Sequence, residues 1–313
     1  MTNVIEVSEL CKVYRSSQGD TVVAPNSLSF QVQEGSIFGL LGTNGAGKST
    51  TVKLLSTCTT PSSGSAHVFG FDVVKNPLEV RRRIAVVLQQ SASESLLNVQ
   101  DNLLIYAYLH GVSRADARSR VERVIEEFEL GEIRATAVQE LSLGTKRRIQ
   151  IAKIFMVNAP LIILDEATTG MDPIMKRSLM DRLKAEARGG RTILLTTQVL
   201  SEAEELCDTF MILNRGSAMA SGSLIELRKQ SAQTFRVSLS FDKTEIDLAD
   251  LLAPLNALTL QIDRGTAELM IRTDEAALLE KLAEISRVVR IERFEVRGPT
   301  LEEIFIGLVG KTP

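Results

Sequence analysis

The sequence predicts an α/β fold with a parallel, buried sheet, followed by a small C-terminal α+β domain. Three observations predict it. The apolar run Ile37-Phe38-Gly39-Leu40-Leu41 leads straight into the glycine-rich segment Gly42-Thr43-Asn44-Gly45-Ala46-Gly47-Lys48-Ser49-Thr50. A second apolar run, Leu161-Ile162-Ile163-Leu164, ends in the carboxylates Asp165-Glu166. Both runs are short, as strands buried on two faces are, and helix-like segments separate them. From Thr234 onward strand and helix patterns start afresh.

The first strand is assigned by its junction with the glycine-rich segment. Gly42 to Ser49 fits G-x-x-x-x-G-K-[S/T], and here it stands between strand and helix, the context the motif needs. Its glycines let backbone N–H groups turn inward around phosphate oxygens without Cβ clashes. Lys48 would meet the phosphates as a point charge, and Ser49 would ligate Mg²⁺. A helix from Lys48 to about Thr57 would aim its positive end at the same phosphates. On the second strand, Asp165 would hold the metal and Glu166 would polarise an attacking water. Neighbours on an extended strand point opposite ways, so each acid can face a different side of the site.

Between Gln89 and about Pro160 the pattern is helical. Residues 101–110 form one candidate helix and residues 113–130 another. In the latter, Ser113 with Asp116 resembles a capping box, and Val121, Val124, Ile125 and Phe128 recur at helical spacing. Beyond the second strand, Glu202-Ala203-Glu204-Glu205-Leu206 reads as a helix. The run Phe210-Met211-Ile212-Leu213 with the turn Asn214-Arg215-Gly216 reads as a hairpin. Leu224 to Lys229 begins an amphipathic helix, and residues 230–233 read as a linker. In the last domain, residues 235–239, 259–262, 269–271 and 288–296 are strand candidates and 274–286 a helix. Thr300-Leu301-Glu302-Glu303 is a capping box ahead of an apolar stripe of Leu301, Ile304, Phe305 and Leu308.

Length and composition bound the function. At about 100–200 residues per domain, 313 residues suit two domains. Hydrophobic residues at 44% suffice for packed cores. Lys+Arg 36 against Asp+Glu 39 gives a net charge of −3, which argues against a surface built for nucleic acid. Cys11, Cys58 and Cys207 lack metal spacing and suit a reducing compartment. The start, MTNVIEVSEL, lacks the pattern of a signal peptide, and no run of about 18 apolar residues exists. A membrane role would therefore require another chain to hold this one in place.

Leu141-Ser142-Leu143-Gly144-Thr145, one helix ahead of the second strand, resembles the L-S-G-G-Q signature of ABC ATPases. With both phosphate-site motifs in order, residues from about 3 to 225 resemble the ABC nucleotide-binding domain family. The resemblance implies a P-loop ABC ATPase domain over residues 1–228, made of a RecA-like core, an antiparallel β subdomain and a helical subdomain at about 90–160. Residues 229–313 form the accessory domain. It places Tyr14 where the family stacks an aromatic on adenine, although a half-buried strand tyrosine fits equally. Gln89 falls at the Q-loop position, with Gln90 as the alternative. Asp172, in Gly170-Met171-Asp172-Pro173, falls in the D-loop, and Gln198 at the switch position.

The expected ATP shell is thus Tyr14, Gly42, Asn44, Gly45, Ala46, Gly47, Lys48, Ser49 and Thr50. Ser142, Gly144 and Asp172 would act across a head-to-tail dimer. Ser49, Gln89 and Asp165 would hold Mg²⁺, and Glu166, Gln198 and Gln89 would act in catalysis. Leu143 and Thr145 depart from the signature, and Gln198 replaces the usual histidine. Glutamine donates a hydrogen bond but carries no titrating proton. The only histidines, His67 and His110, read as surface or packing residues. Lys146, Arg147 and Arg148 read as a solvated helix face.

Leu96, Leu97, Tyr106 and Tyr108 are candidates for the groove that receives a permease, with the subdomain's own core as the other reading. Pro299-Thr300-Leu301-Glu302-Glu303-Ile304-Phe305 resembles the C-terminal tail of ABC-2-type exporter ATPases, the drug-resistance group. The resemblance implies a cytoplasmic, membrane-peripheral exporter ATPase, dimeric and bound to an ABC-2-type permease, with no nucleic-acid partner. The alternatives are a mechanical ABC ATPase without a permease and a nucleotide sensor.

Overall fold

A computed structural model describes residues 2–15, 21–89, 94–230, 234–241, 247–263 and 265–310. The chain forms two compact units, Met1–Ser221 and Gly222–Pro313.

The first unit begins with β1 (Asn3–Cys11), β2 (Val13–Arg15), β3 (Thr21–Val23), β4 (Leu28–Gln33) and β5 (Ile37–Gly42). Next come α1 (Lys48–Leu55), β6 (Ser63–Val68), β7 (Phe71–Asp72), α2 (Pro77–Arg81) and β8 (Ile84–Val87). Three helices follow, α3 (Val99–Leu109), α4 (Arg114–Glu127) and α5 (Leu143–Ile154). The chain then runs through β9 (Leu161–Asp165), α6 (Pro173–Arg188), β10 (Thr192–Thr197), α7 (Leu200–Leu206), β11 (Thr209–Asn214) and β12 (Ser217–Gly222).

Two large sheets build the unit, beside the two-stranded antiparallel β2-β3 ribbon. One has the order β4-β1-β6-β7 and is antiparallel. β4 alternates buried and exposed residues, so only one of its faces meets the core. The larger sheet has the order β12-β11-β5-β10-β9-β8, with the five strands from β11 to β8 parallel. β5, β9 and β10 are buried along their whole length, which is why β5 and most of β9 read as continuous apolar runs. Their side chains divide by alternation. Phe38, Leu40, Ile163 and Leu194 pack with Val7 and Phe30 of the antiparallel sheet. Ile37, Ile162, Leu164, Ile193 and Leu195 pack with α4 and α5 on the other face. The parallel strands end together, and the loops beyond their carboxyl ends carry the site, as in open α/β sheets generally.

The helical segment forms α3 to α5. Val121, Val124, Ile125 and Phe128 are all buried, as their spacing predicts. Ser113 Oγ accepts from Asp116 N at 3.2 Å, but the Asp116 carboxylate takes the Ser113 hydroxyl instead of its backbone N–H. The groove candidates divide. Tyr106 and Leu97 are partly buried, Tyr106 against the subdomain core, whereas Leu96 (80% exposed) and Tyr108 face out. The turn before β12 has Arg215 at φ 48° and Gly216 at φ 86°, the left-handed pair of a tight hairpin.

The second unit contains α8 (Leu224–Gln230), β13 (Thr234–Phe241), α9 (Leu248–Leu252), β14 (Thr259–Asp263), β15 (Thr266–Arg272), α10 (Glu275–Val288), β16 (Ile291–Arg297) and α11 (Leu301–Val309). Its sheet, β14-β15-β13-β16, is antiparallel and buries Val237, Leu239, Leu269 and Ile271 against Leu278 and Leu282 of α10. The Thr300–Glu303 capping box is present, and Leu301 and Ile304 are buried. Sequence periodicity does not predict α9, whose five residues are held by an Asp247 cap. Residue 230 of the expected linker belongs to α8, and residues 231–233 lie outside the described residues, as does Gln90.

Candidate active site

The glycine-rich loop begins where β5 ends. A Cβ on Gly42 would meet the Leu213 carbonyl oxygen of β11 at 2.6 Å, so only glycine lets these strands pair at the loop. Gly47 stands at φ 99° immediately before α1, and a Cβ there would crowd the Ala24–Pro25 backbone at 3.3–3.4 Å. No side chain caps α1 and no acid occupies its first turn, so its leading N–H groups are open to an anion in the loop. Asn44 and Gly45 are exposed on the loop and Ala46 is buried under it, while Ser49 and Thr50 are half-buried at the helix start.

Lys48 is buried. Its Nζ donates to the Gly42 and Thr43 carbonyls at 2.9 and 3.0 Å and lies 3.8 Å from Glu166 Oε1. Burial pushes the Lys48 ammonium below its usual range, and the Glu166 and Asp165 carboxylates pull it back. Ser49 Oγ donates to Asp165 Oδ1 at 3.1 Å. Thr196 Oγ1 donates to the same oxygen at 2.6 Å, from the β10 position paired with Asp165 in the sheet. Thr196 is a site residue that the motif reading misses. Its signal is a polar residue placed immediately after the buried run Ile193-Leu194-Leu195.

Strand alternation, expected to separate the two acids, is not what does so. Asp165 closes β9, but Glu166 is not extended: its φ is 48°, in the left-handed region. Its backbone N–H donates to Thr196 O and Thr196 Oγ1, each at 3.1 Å. The turn at Glu166 aims the carboxylate instead. Glu166 Oε2 accepts from Gln89 Nε2 at 3.0 Å, and Oε1 accepts from Gln198 Nε2 at 2.7 Å. Gln198 also donates to Asn44 Oδ1 at 2.8 Å. The phosphate loop, the end of β8, the end of β9 and the end of β10 thus meet at one carboxylate. Neither histidine is part of this cluster: His67 lies on β6, 3.9 Å from Asp72, and His110 packs against the Tyr106 ring at 4.5 Å.

Tyr14 is exposed on β2, with Lys12 Nζ 5.5 Å from its ring centre. The β2–β3 pair is tied to the loop region through Lys12, whose N–H donates to Pro25 O and whose carbonyl accepts from Ala24 N–H, each at 3.0 Å; Ala24–Pro25 is the segment touching Gly47.

Ser142, Gly144 and Asp172 form a separate group. Ser142 caps α5 by accepting from Thr145 N at 3.1 Å. Asp172 caps α6 by accepting from Met175 N at 2.9 Å, and this bond holds its carboxyl below the usual range. A Cβ on Gly144 would press on the Gly170 carbonyl at 3.3 Å. Among the described residues, no hydrogen bond joins Ser142 or Asp172 to the cluster around Lys48. The expected solvated face of Lys146, Arg147 and Arg148 is only partly that, because Arg147 is buried and donates to backbone carbonyls of the site.

Chemically, the arrangement is an anion cradle with a buried ammonium. Beside it stands a carboxylate pinned by two amides, free to take a proton from a water placed between it and the cradle.

Comparison with known proteins agrees with this geometry. Residues 25–169 match the family model "ABC transporter". Residues 222–309 match "ATP-binding protein DrrA1-3-like, C-terminal domain". The chain is 36% identical to the daunorubicin/doxorubicin resistance ATP-binding protein DrrA of Streptomyces peucetius, over 99% of this chain and 93% of that one. It is also 36% identical to the Nod factor export ATP-binding protein I of Cupriavidus metallidurans, over 99% of each. Among solved structures, an ATP-binding subunit of an ABC transporter superposes with a TM-score of 0.67 at 30% identity, over 72% of this chain and 92% of that one. The two matched models and the full-length relatives together settle the family: the chain belongs to the ATP-binding proteins of ABC transporters, with a C-terminal domain of the DrrA1-3 type.

Proposed function

We propose that this chain is the ATP-hydrolysing subunit of an ABC exporter, with Glu166 as general base. One observation carries the reading: the Glu166 carboxylate is held by Gln89, Gln198 and Lys48 at the mouth of the glycine-rich loop. The α1 N-terminus and Lys48 bind the phosphates, and the exposed Tyr14 ring offers a face to the base. Gln89 and Gln198 fix the carboxylate so that its oxygens address a water in line with the terminal phosphate.

Ser49 and Asp165 fit a magnesium ion. Their oxygens lie 3.1 Å apart, matching the edge of about 3 Å between adjacent ligands in an octahedron with 2.0–2.1 Å bonds. Gln89, whose amide N–H holds Glu166, would offer its side-chain oxygen as a third ligand. Held there by these residues, magnesium would supply positive charge to neutralise the transferred group.

Ser142, Gly144 and Asp172 belong to a surface for a second copy. Large apolar side chains stand exposed beside them, Leu143 at 85% and Ile174 at 81%, as expected where another molecule covers them. ATP bridging two copies would favour closure, because only the closed pair contacts it from both sides. Leu96, Ile105, Tyr108 and Leu109 are exposed in and before α3 and suit a membrane permease of the ABC-2 type. Among the described residues no helix is long and apolar enough to cross a membrane, so that permease would hold the chain at the cytoplasmic face. The permease then selects the exported compound. The test is Glu166→Gln: it keeps ATP binding and loses turnover. Full turnover in that variant removes Glu166 from the role.

A further inference from the structure

The buried stripe of α5 contains one charged side chain. Arg147 is 9% exposed and precedes the fully buried Ile151 and Ile154 by four and seven residues. Its Nε donates to Ala167 O at 3.1 Å, and Nη2 donates to Asp165 O at 2.7 Å and Glu166 O at 2.9 Å. Nη1 donates to Leu88 O and to Gln150 Oε1, both at 3.0 Å. A guanidinium has five N–H groups, and these five acceptors use all of them. No carboxylate oxygen is among them. Three of the acceptors are the consecutive carbonyls of residues 165–167, centred on Glu166, and a fourth belongs to the residue before Gln89.

We propose that Arg147 is a positioning residue for hydrolysis, holding the Glu166 turn and the Gln89 stem in register. Consecutive carbonyls of an extended strand point alternately to opposite sides. Those of residues 165–167 converge on one guanidinium only because the chain turns at Glu166, at φ 48°. A residue with a Cβ resists that backbone conformation, so it persists where its surroundings impose it. Arg147 supplies the imposition and reaches across to the Leu88 carbonyl, setting the 3.0 Å contact between Gln89 and Glu166. α5 also starts with Ser142 and Gly144, so the helix facing a second copy is attached directly to the backbone of the base. Lysine cannot replace this contact: it is a single point of charge without the planar fork. The proposal rests on Glu166 being the base.

The experiment uses the full chain with Arg147→Lys and Arg147→Gln, each alone and combined with Glu166→Gln. Phosphate release gives kcat and KM, a fluorescent ATP analogue gives Kd, and thermal melts report folding. Arg147→Lys is expected to lower kcat at least tenfold, with KM and Kd within threefold of wild type, and Arg147→Gln to lower kcat further. In the Glu166→Gln background, Arg147→Lys changes the residual rate less than twofold, because it acts through the absent carboxylate. If Arg147→Lys keeps kcat within twofold while Glu166→Gln is inactive, the proposal falls and the base assignment stands. If Glu166→Gln turns over normally, the base assignment falls and takes the proposal with it. KM and Kd rising in proportion to the loss of kcat would indicate a general structural role and overturn the proposal. Should Arg147→Gln fail to fold, Arg147→Lys carries the test.

Discussion

Gln198→Ala isolates the role of the amide that joins Glu166 to Asn44. It removes one of the two amides that fix Glu166 and cuts the link from Glu166 to Asn44. A hydrogen bond to an ionised group contributes about 1.5–3 kcal/mol in its context. Gln89 still holds the other carboxylate oxygen and water can reach the freed one, so the loss stays within that range. A net loss of about 1.5–3 kcal/mol in transition-state positioning corresponds to roughly 10–160-fold in kcat. Binding should change little, since the cradle and Lys48 are untouched, so KM for ATP stays within about threefold. Global stability should also hold, because Gln198 is exposed and surface contacts contribute about 0–1 kcal/mol. Steady-state phosphate release on wild type, Gln89→Ala, Gln198→Ala and the double variant reads all of this. The double variant should lose less than the sum of the single losses in free energy, since both amides act on one carboxylate. A Gln198→Ala enzyme with kcat within twofold of wild type would refute the reasoning.

Three further predictions concern the loop and the pH profile. Gly47→Ala forces a Cβ into a left-handed position already crowded by the Ala24–Pro25 backbone. It should cost about 1–3 kcal/mol and abolish ATP binding, checked by denaturant unfolding and nucleotide titration; normal affinity would contradict the cradle. Wild-type kcat should show no histidine limb between about pH 6 and 8, since neither His67 nor His110 touches the site and burial pushes His110 below its ordinary value. Gln198→His should introduce a limb near the ordinary histidine pKa of about 6.5, with turnover changing as the ring loses its proton. A wild-type limb at that pH would count against the assignment.

Legibility from sequence differs among these residues for physical reasons. The phosphate loop is legible because its chemistry is local: strand, glycines, lysine and helix start are contiguous. Gln89 and Gln198 are ordinary loop glutamines by composition, and only resemblance singles them out. Their meeting at Glu166 depends on strand order, which brings β8, β9 and β10 side by side. The Glu166 turn is illegible because φ is not written in residue type, and glutamate is an unusual occupant of the left-handed region. Arg147 is misread because a run of basic residues suggests solvent. Its spacing to Ile151 and Ile154 is the sign that it lies on the buried stripe. Tyr106 and Tyr108, two apart on one helix, face different ways, so a single label could not serve both. α9 escapes notice because five residues are too few for a helical period to show.

The most direct test of the exporter reading is affinity capture of the Glu166→Gln chain, with ATP present, from detergent-solubilised membranes of its own cells. The account predicts that a polytopic membrane protein is recovered with it in equal amount. Recovery from the soluble fraction alone, or bound to ribosomes or DNA, would contradict it.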